Sequence, residues 1–264
     1  MTELIVVTGT LLAIGGVAWL LRVAPWRGAR TRLPIVLVHG LMGFDSITLR
    51  GASRDYFHGV GTALREAGVQ VYTPALPPVG SIAQRAKRLA EAIRTIDARR
   101  VHVIAHSMGG LDARYAIRTL GLADRVATLT TIGTPHRGSP VADLGGMAGP
   151  LLSRVGLGAL QDLTSAAAKR FNEDIPDHPR VRYYSVVSVA DDEERVHALL
   201  RPMYRRLSRL NGDNDGVVPG PSQAWGHVIA HINSDHWGQI GWSNHYDAVP
   251  LYLQIAHRLR SKGG

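Results

Sequence analysis

Three side chains in this sequence have the types and order needed to attack an acyl carbon. The first is Ser107 in "VHVIAHSMGGLDARYAI", Val101 to Ile117. Ala105 and Gly109 flank it two residues away on either side, so it has the small-x-Ser-x-small pattern of a strand-to-helix turn. Such a turn crowds neighbouring backbones, and only small residues fit beside it. It lifts the hydroxyl to a helix N-terminus, where free N–H groups and the helix dipole favour a developing anion. A serine hydroxyl also needs a base and an orienter for that base. His236, in "INSDHWGQIGW", follows the last apolar run and can take the Ser107 proton. Asp215, in "GDNDGVVP", can fix the imidazole tautomer. The chain order Ser, Asp, His is the one a parallel sheet of this kind requires.

The acid has alternatives. Asp191 and Asp192 directly follow the fifth apolar strand, and Asp213 lies two residues before Asp215. Two histidines near the site read as structural. His39 precedes the serine in chain order, and His106 beside the nucleophile points inward. The His-Gly turn in "LVHGLMGFD" can aim the N–H of Leu41 at the same point as the N–H of Met108. Two such donors form an oxyanion hole worth about 3–4 kcal/mol each to a tetrahedral intermediate.

The elements that must position these groups alternate. "PIVLVHG" is a fully apolar strand of the kind buried on both faces. Ser53 to Ala67 has helical spacing. "VQVYTP" is a strand, and Ser81 caps a helix through about Ala98. "VHVIAH" leads into a helix from Ser107 to about Leu120. "VATLTTIG" and "VRYYSVVSV" are strands four and five. Val196 to Leu210 is helical, "HVIAHIN" is a sixth strand, and His245 to Arg260 closes the chain as a helix. Strands alternating with helices predict an α/β fold on a mainly parallel sheet of about six strands. The glycine-rich, partly apolar insert at residues 140–177 reads as a short helical lid over an apolar pocket.

Composition narrows the class. With 264 residues, the chain fits one globular domain with a full core. It has no cysteine, which excludes disulfides and thiolate chemistry. The net charge is +9, but the arginines are scattered and no nucleic-acid motif is present. The densest basic run, "RPMYRRLSRL", reads as a solvated helix face.

The N-terminus is distinct. Leu4 to Leu21 carries no charge, and at about 1.5 Å per residue it spans roughly 27 Å, close to a bilayer core. No basic n-region precedes it, and Pro25 disfavours the nearest cleavage site. The expected organisation is a membrane-spanning helix at residues 1–21, a basic linker at 22–33 and a catalytic domain at 34–264. Arg22, Arg27, Arg30 and Arg32 follow the span, and the positive-inside rule places them in the cytoplasm. A cleaved segment would instead give a secreted protein.

Six blocks carry a family resemblance: "PIVLVHGLMGFDS", "AHSMGGLDARY", "TTIGTPHRGSPVAD", "RFNEDIP", "NDGVVP" and "DHWGQIGW". From Pro34 to Trp242 the chain resembles the bacterial true lipases of the Pseudomonas and Burkholderia type. The AHSMGG turn is also similar to that of the small Bacillus lipases. The resemblance implies an α/β-hydrolase fold and carboxylic ester hydrolysis. It makes Ser107, Asp215 and His236 the triad and Leu41 and Met108 the oxyanion donors. It also brings in a structural calcium near the histidine loop, but Gly238 stands where that family has a carboxylate ligand and Trp242 where an amide ligand is expected. Asp191 or Asp192 matches the other acidic ligand. The expectation is therefore no cofactor and no metal. The family's disulfide is absent, and the insert is shorter.

The functional expectation is a lipase or esterase working through an acyl-serine, with an ester or lipid substrate, a membrane and no nucleic acid as partners. An anchored lipid acyltransferase would use the same triad. A non-catalytic binding protein on the same scaffold would be expected to have lost a triad residue.

Overall fold

The computed structural model describes residues 31–41, 46–49, 52–146 and 159–260. Six parallel strands form the central sheet, in the order β4-β1-β5-β6-β7-β8. They are β1 (Ile35–Val38), β4 (Val71–Tyr72), β5 (Val101–His106), β6 (Val126–Ile132), β7 (Arg182–Ser188) and β8 (His227–Ile232). Every residue of β1, β5 and β6 is buried. Largely apolar sequences, interrupted only by buried His and Thr in β5 and β6, follow from that placement, because helices cover both faces.

Alternation along β1 separates the two cores. Ile35 and Leu37 face one side with Ile104 and Val186, against α1 (Val60–Glu66) and α9 (Val249–Arg260). Val36 and Val38 face the other side with Val103 and Ala105, against α2 (Ile82–Thr95) and α3 (Gly109–Thr119). Ser81 starts α2 with a reciprocal capping box: its hydroxyl accepts from Gln84 N–H, and the Gln84 side chain accepts from the Ser81 N–H.

The helical spacing of Ser53 to Ala67 is only half realised. Ala52–Asp55 is a strand, β3, paired antiparallel with β2 (Ser46–Leu49) in register Ser46 to Asp55. The helix begins at Val60, because Gly59 takes the left-handed conformation (φ 72°) and breaks the run. Three boundaries also move inward. α2 ends at Thr95, with Ile96 extended. α7 spans Arg201–Asn211 rather than starting at Val196. α9 starts at Val249 rather than His245.

Among its described residues, the insert after β6 has three short helices: α4 (Pro140–Gly146), α5 (Ala159–Asp162) and α6 (Ser165–Asp174). Gly220–Gln223 forms α8. The predicted span at residues 1–21, and the linker as far as Arg30, lie outside the described residues. Among the described residues, no helix is long and apolar enough to cross a membrane.

Candidate active site

The turn from β5 into α3 carries the site. Ser107 is the one non-glycine residue with positive φ (54°) among the described residues. A left-handed serine is costly and persists only where the surroundings fix it. Here its N–H donates to Ile132 O at 2.9 Å, and its carbonyl accepts from Thr134 Oγ1 at 2.7 Å. Gly109 is obligatory: a Cβ there would stand 2.8 Å from both Val38 O and His39 O.

The loops at the C-terminal ends of the strands bring the other groups to this serine. His236 Nε2 lies 3.0 Å from Ser107 Oγ, and His236 Nδ1 lies 2.8 Å from Asp215 Oδ2. Asp215 is fully buried. Its Oδ1 accepts from the N–H groups of Val217 (2.9 Å) and Val218 (2.7 Å), and its backbone carbonyl accepts from His236 N–H at 2.8 Å. The acid and the base are thus locked to each other through backbone as well as side chain.

The alternative acids lie elsewhere. Asp213 is exposed and only its carbonyl is engaged, by Gly220 N–H. Asp191 is exposed 3.9 Å from Arg195, and Asp192 caps a short turn through Glu194 N–H. His39 is structural: Nε2 accepts from Leu76 N–H at 3.0 Å. His106 is buried, and burial together with the neighbouring His236 holds its pKa well below the usual histidine value.

The first loop passes directly over the serine. A Cβ on Gly40 would stand 2.7 Å from Ser107 Cβ and 3.2 Å from Oγ. Leu41, the next residue, packs on a small apolar cluster that includes Met108, Leu111, Ile82, Ala142, Ala159 and Leu163. The insert thus contributes Ala142, Ala159 and Leu163 to the apolar cluster that holds Met108, the residue after the serine.

Spacing did not reveal three of the residues around the site. Gln239 Nε2 donates to Asp215 Oδ2 at 2.7 Å, and Tyr56 hydroxyl accepts from Gly40 N–H at 3.1 Å. Arg85, fully buried, pairs with Asp112 at 2.8 Å. Gln239 had one available signal: it is a polar residue three positions after His236 in an otherwise apolar turn.

The residues at the calcium position do not fit a hard cation, which needs several oxygen ligands. Gly238 directs its N–H at Asp235 Oδ1 (2.6 Å), and Trp242 directs Nε1–H at Tyr56 O (2.7 Å). The other Asp235 oxygen accepts from His197 N–H. The Asp235 carboxylate is thus occupied by the N–H groups of Gly238 and His197, and Trp242 offers a donor where a cation needs an oxygen.

A strained serine at a strand-to-helix turn, bonded to a histidine that is bonded to a buried aspartate, defines a serine hydrolase on a parallel α/β sheet. Comparison with known proteins places it more closely. The profile of the alpha/beta hydrolase family matches residues 35–260. A triacylglycerol lipase of Vibrio cholerae is 30% identical, over 89% of each chain. A triacylglycerol lipase of Pseudomonas fragi is 29% identical, over 88% of this chain and 98% of its own. Among solved structures, a metagenomic carboxyl esterase superposes with TM-score 0.74 at 23% identity, over 87% of this chain and 76% of its own. The chain belongs to the alpha/beta hydrolase family and to its bacterial lipases, which makes it a carboxylic ester hydrolase.

Proposed function

We propose that the chain cleaves acyl esters of lipid type, with Ser107 as nucleophile, His236 as base and then acid, and Asp215 as the partner of the imidazole. The contact that carries this reading is Ser107 Oγ at 3.0 Å from His236 Nε2, with Nδ1 at 2.8 Å from a buried carboxylate.

Ser107 Oγ forms a bond to the ester carbonyl carbon while its proton passes to His236 Nε2. The carbonyl oxygen becomes an oxyanion that accepts from the N–H groups of Leu41 and Met108. The intermediate collapses when Nε2 returns the proton to the alcohol oxygen, which leaves. Water then attacks the acyl-serine by the same proton route and releases the acid. Asp215 stays ionised and stabilises the imidazolium in each half.

The apolar cluster beside Ser107 supports an apolar acyl group, and the triacylglycerol lipases among the relatives support lipid esters. Chromogenic esters from acetate to palmitate, with wild type and Ser107→Ala in parallel, test this. A rising kcat/KM toward longer chains is expected. Activity confined to acetate would leave an esterase of small substrates.

The proposed anchor is the Leu4–Leu21 run, with residues 22–33 as linker and 34–264 as the hydrolase domain. Its support is a charge-free length of roughly 27 Å followed by arginines. Full-length protein should stay with membranes through a high-salt wash, since salt screens the arginines but not a buried apolar span. Soluble protein with an intact N-terminus would defeat this reading. A processed N-terminus would indicate secretion.

A further inference from the structure

A continuous run of buried polar groups links the loop after β1 to the acid, and none of its middle members touches the ester in the scheme above. Gly40 N–H donates to Tyr56 Oη at 3.1 Å. Tyr56 Oη lies 2.8 Å from His106 Nδ1. His106 Nε2 lies 3.1 Å from Gln239 Oε1 and 3.2 Å from His236 O. Gln239 Nε2 donates to Asp215 Oδ2 at 2.7 Å.

Chemistry fixes the direction of this run. The backbone oxygen of His236 can only accept, so His106 Nε2 carries the proton. The neutral ring then leaves Nδ1 bare, and Tyr56 O–H donates to it. The Asp215 carboxylate can only accept, so the Gln239 amide turns its NH₂ toward Asp215 and its oxygen toward His106. Both ends give the same orientation for the two ambiguous groups.

We propose that Tyr56, His106 and Gln239 are positioning residues, a one-directional hydrogen-bond chain that couples the oxyanion turn at Gly40 to the Asp215–His236 pair. The proposal rests on the triad reading given above.

Two physical effects follow. Gln239 shares Asp215 Oδ2 with His236, so it fixes the carboxylate rotamer and tempers the field felt by the imidazole. His106 stands with its ring 4.5 Å from that of His236. A charge there would oppose the imidazolium that His236 must become, and burial together with His236 itself keeps the ring neutral. The ionisable groups facing His236 are Asp215, Ser107 and His106. Arg85 acts on Tyr56, and Tyr56 in turn acts on Tyr252.

The test uses the full chain as wild type, Gln239→Leu, Gln239→Glu, Tyr56→Phe and Ser107→Ala, with p-nitrophenyl butyrate from pH 4.5 to 9 and melting temperatures alongside. Gln239→Leu should lower kcat about tenfold, the loss expected for one hydrogen bond to a charged group, with KM within about twofold. Gln239→Glu is isosteric. Protonated, it keeps both partners; ionised, it sets a second carboxylate against Asp215. The acid limb of its kcat/KM profile should therefore move up by about one pH unit, because an added negative charge stabilises the His236 imidazolium. Tyr56→Phe should lower kcat in the same direction as Gln239→Leu. If the variants melt lower yet keep wild-type kcat and the wild-type acid limb, the chain is only structural and the proposal is overturned. If Gln239→Leu does not fold, the kcat of folded Tyr56→Phe decides: a lowered kcat with KM within about twofold supports the chain, and a wild-type kcat overturns the proposal. An active Ser107→Ala would defeat the triad reading instead, which keeps the two failures distinguishable.

Discussion

Arg85 donates from Nη2 to the carbonyl oxygen of His39 at 2.7 Å, from a side chain with no exposed surface. Its other nitrogens donate to Pro77 O (2.7 Å) and Asp112 Oδ2 (2.8 Å). A single guanidinium thus joins α2, the first turn of α3 and the loop that carries Leu41. Burial pushes the Asp112 pKa up to about 7, with Arg85 acting against that rise.

Removing one partner of such a pair leaves the other charge buried and unpaired. Arg85→Met should cost about 3–5 kcal/mol in urea unfolding, while Arg85→Met with Asp112→Leu should recover most of it. A double variant as unstable as the single one would show that the loss comes from packing around the guanidinium rather than from the stranded carboxylate.

The turn at Ser107 stores backbone strain. Relative to Ser107→Ala, Ser107→Gly should be more stable by about 1 kcal/mol, since glycine reaches φ 54° without a Cβ penalty. Equal unfolding midpoints for the two inactive variants would mean that the turn is not strained.

Metal removal should change nothing. With N–H groups of Gly238 and Trp242 facing the position where related lipases have oxygen ligands, activity and melting temperature should be indifferent to EDTA. A drop of several degrees, restored by calcium, would overturn the metal-free reading of this position.

Acid should destabilise the protein through its buried histidines. His102 Nδ1 lies 2.8 Å from Thr128 Oγ1, and burial, helped by Arg182 and Arg100, lowers its pKa from 6.5 to about 4. His106 and His136 are held low chiefly by burial as well. A histidine depressed in the native state contributes stability that is complete above 6.5 and is lost as pH falls toward 4, because the unfolded chain takes up the proton first. His102 alone should account for roughly 2–3 kcal/mol by pH 4. His102→Gln should flatten the melting-temperature profile between pH 7 and 5. An equally steep profile would assign the loss to other groups.

The sheet and the contacts among Ser107, His236 and Asp215 were legible from short stretches and their order along the chain. β1 is wholly apolar, β5 and β6 add only buried His and Thr to apolar residues, and "AHSMGG" carries the whole turn within six residues. Asp215 was readable by chain order, but its rivals at Asp191, Asp192 and Asp213 were separated only by where the loops fold. The β2–β3 hairpin was missed because "ASRD" shares helical spacing with the residues after it, and a left-handed glycine sets the boundary. Nothing in the local sequence distinguishes Arg85 from the other arginines of the chain. It sits on the buried stripe with Ile82 and Leu89 only because Asp112 meets it from 27 residues away. Tyr56 and Gln239 depend on His106 across 50 and 133 residues, a relation that no local pattern encodes.

The central claim is that Ser107 becomes acylated with His236 and Asp215 behind it. The most direct measurement is kcat/KM of folded Ser107→Ala, paired with intact mass after exposure to a phosphonate ester that traps activated serines. The wild type should gain one adduct on Ser107, and the variant should gain none while losing about 10³-fold or more in kcat/KM. A well-folded Ser107→Ala that still hydrolyses ester, or an adduct found on another residue, would contradict the account.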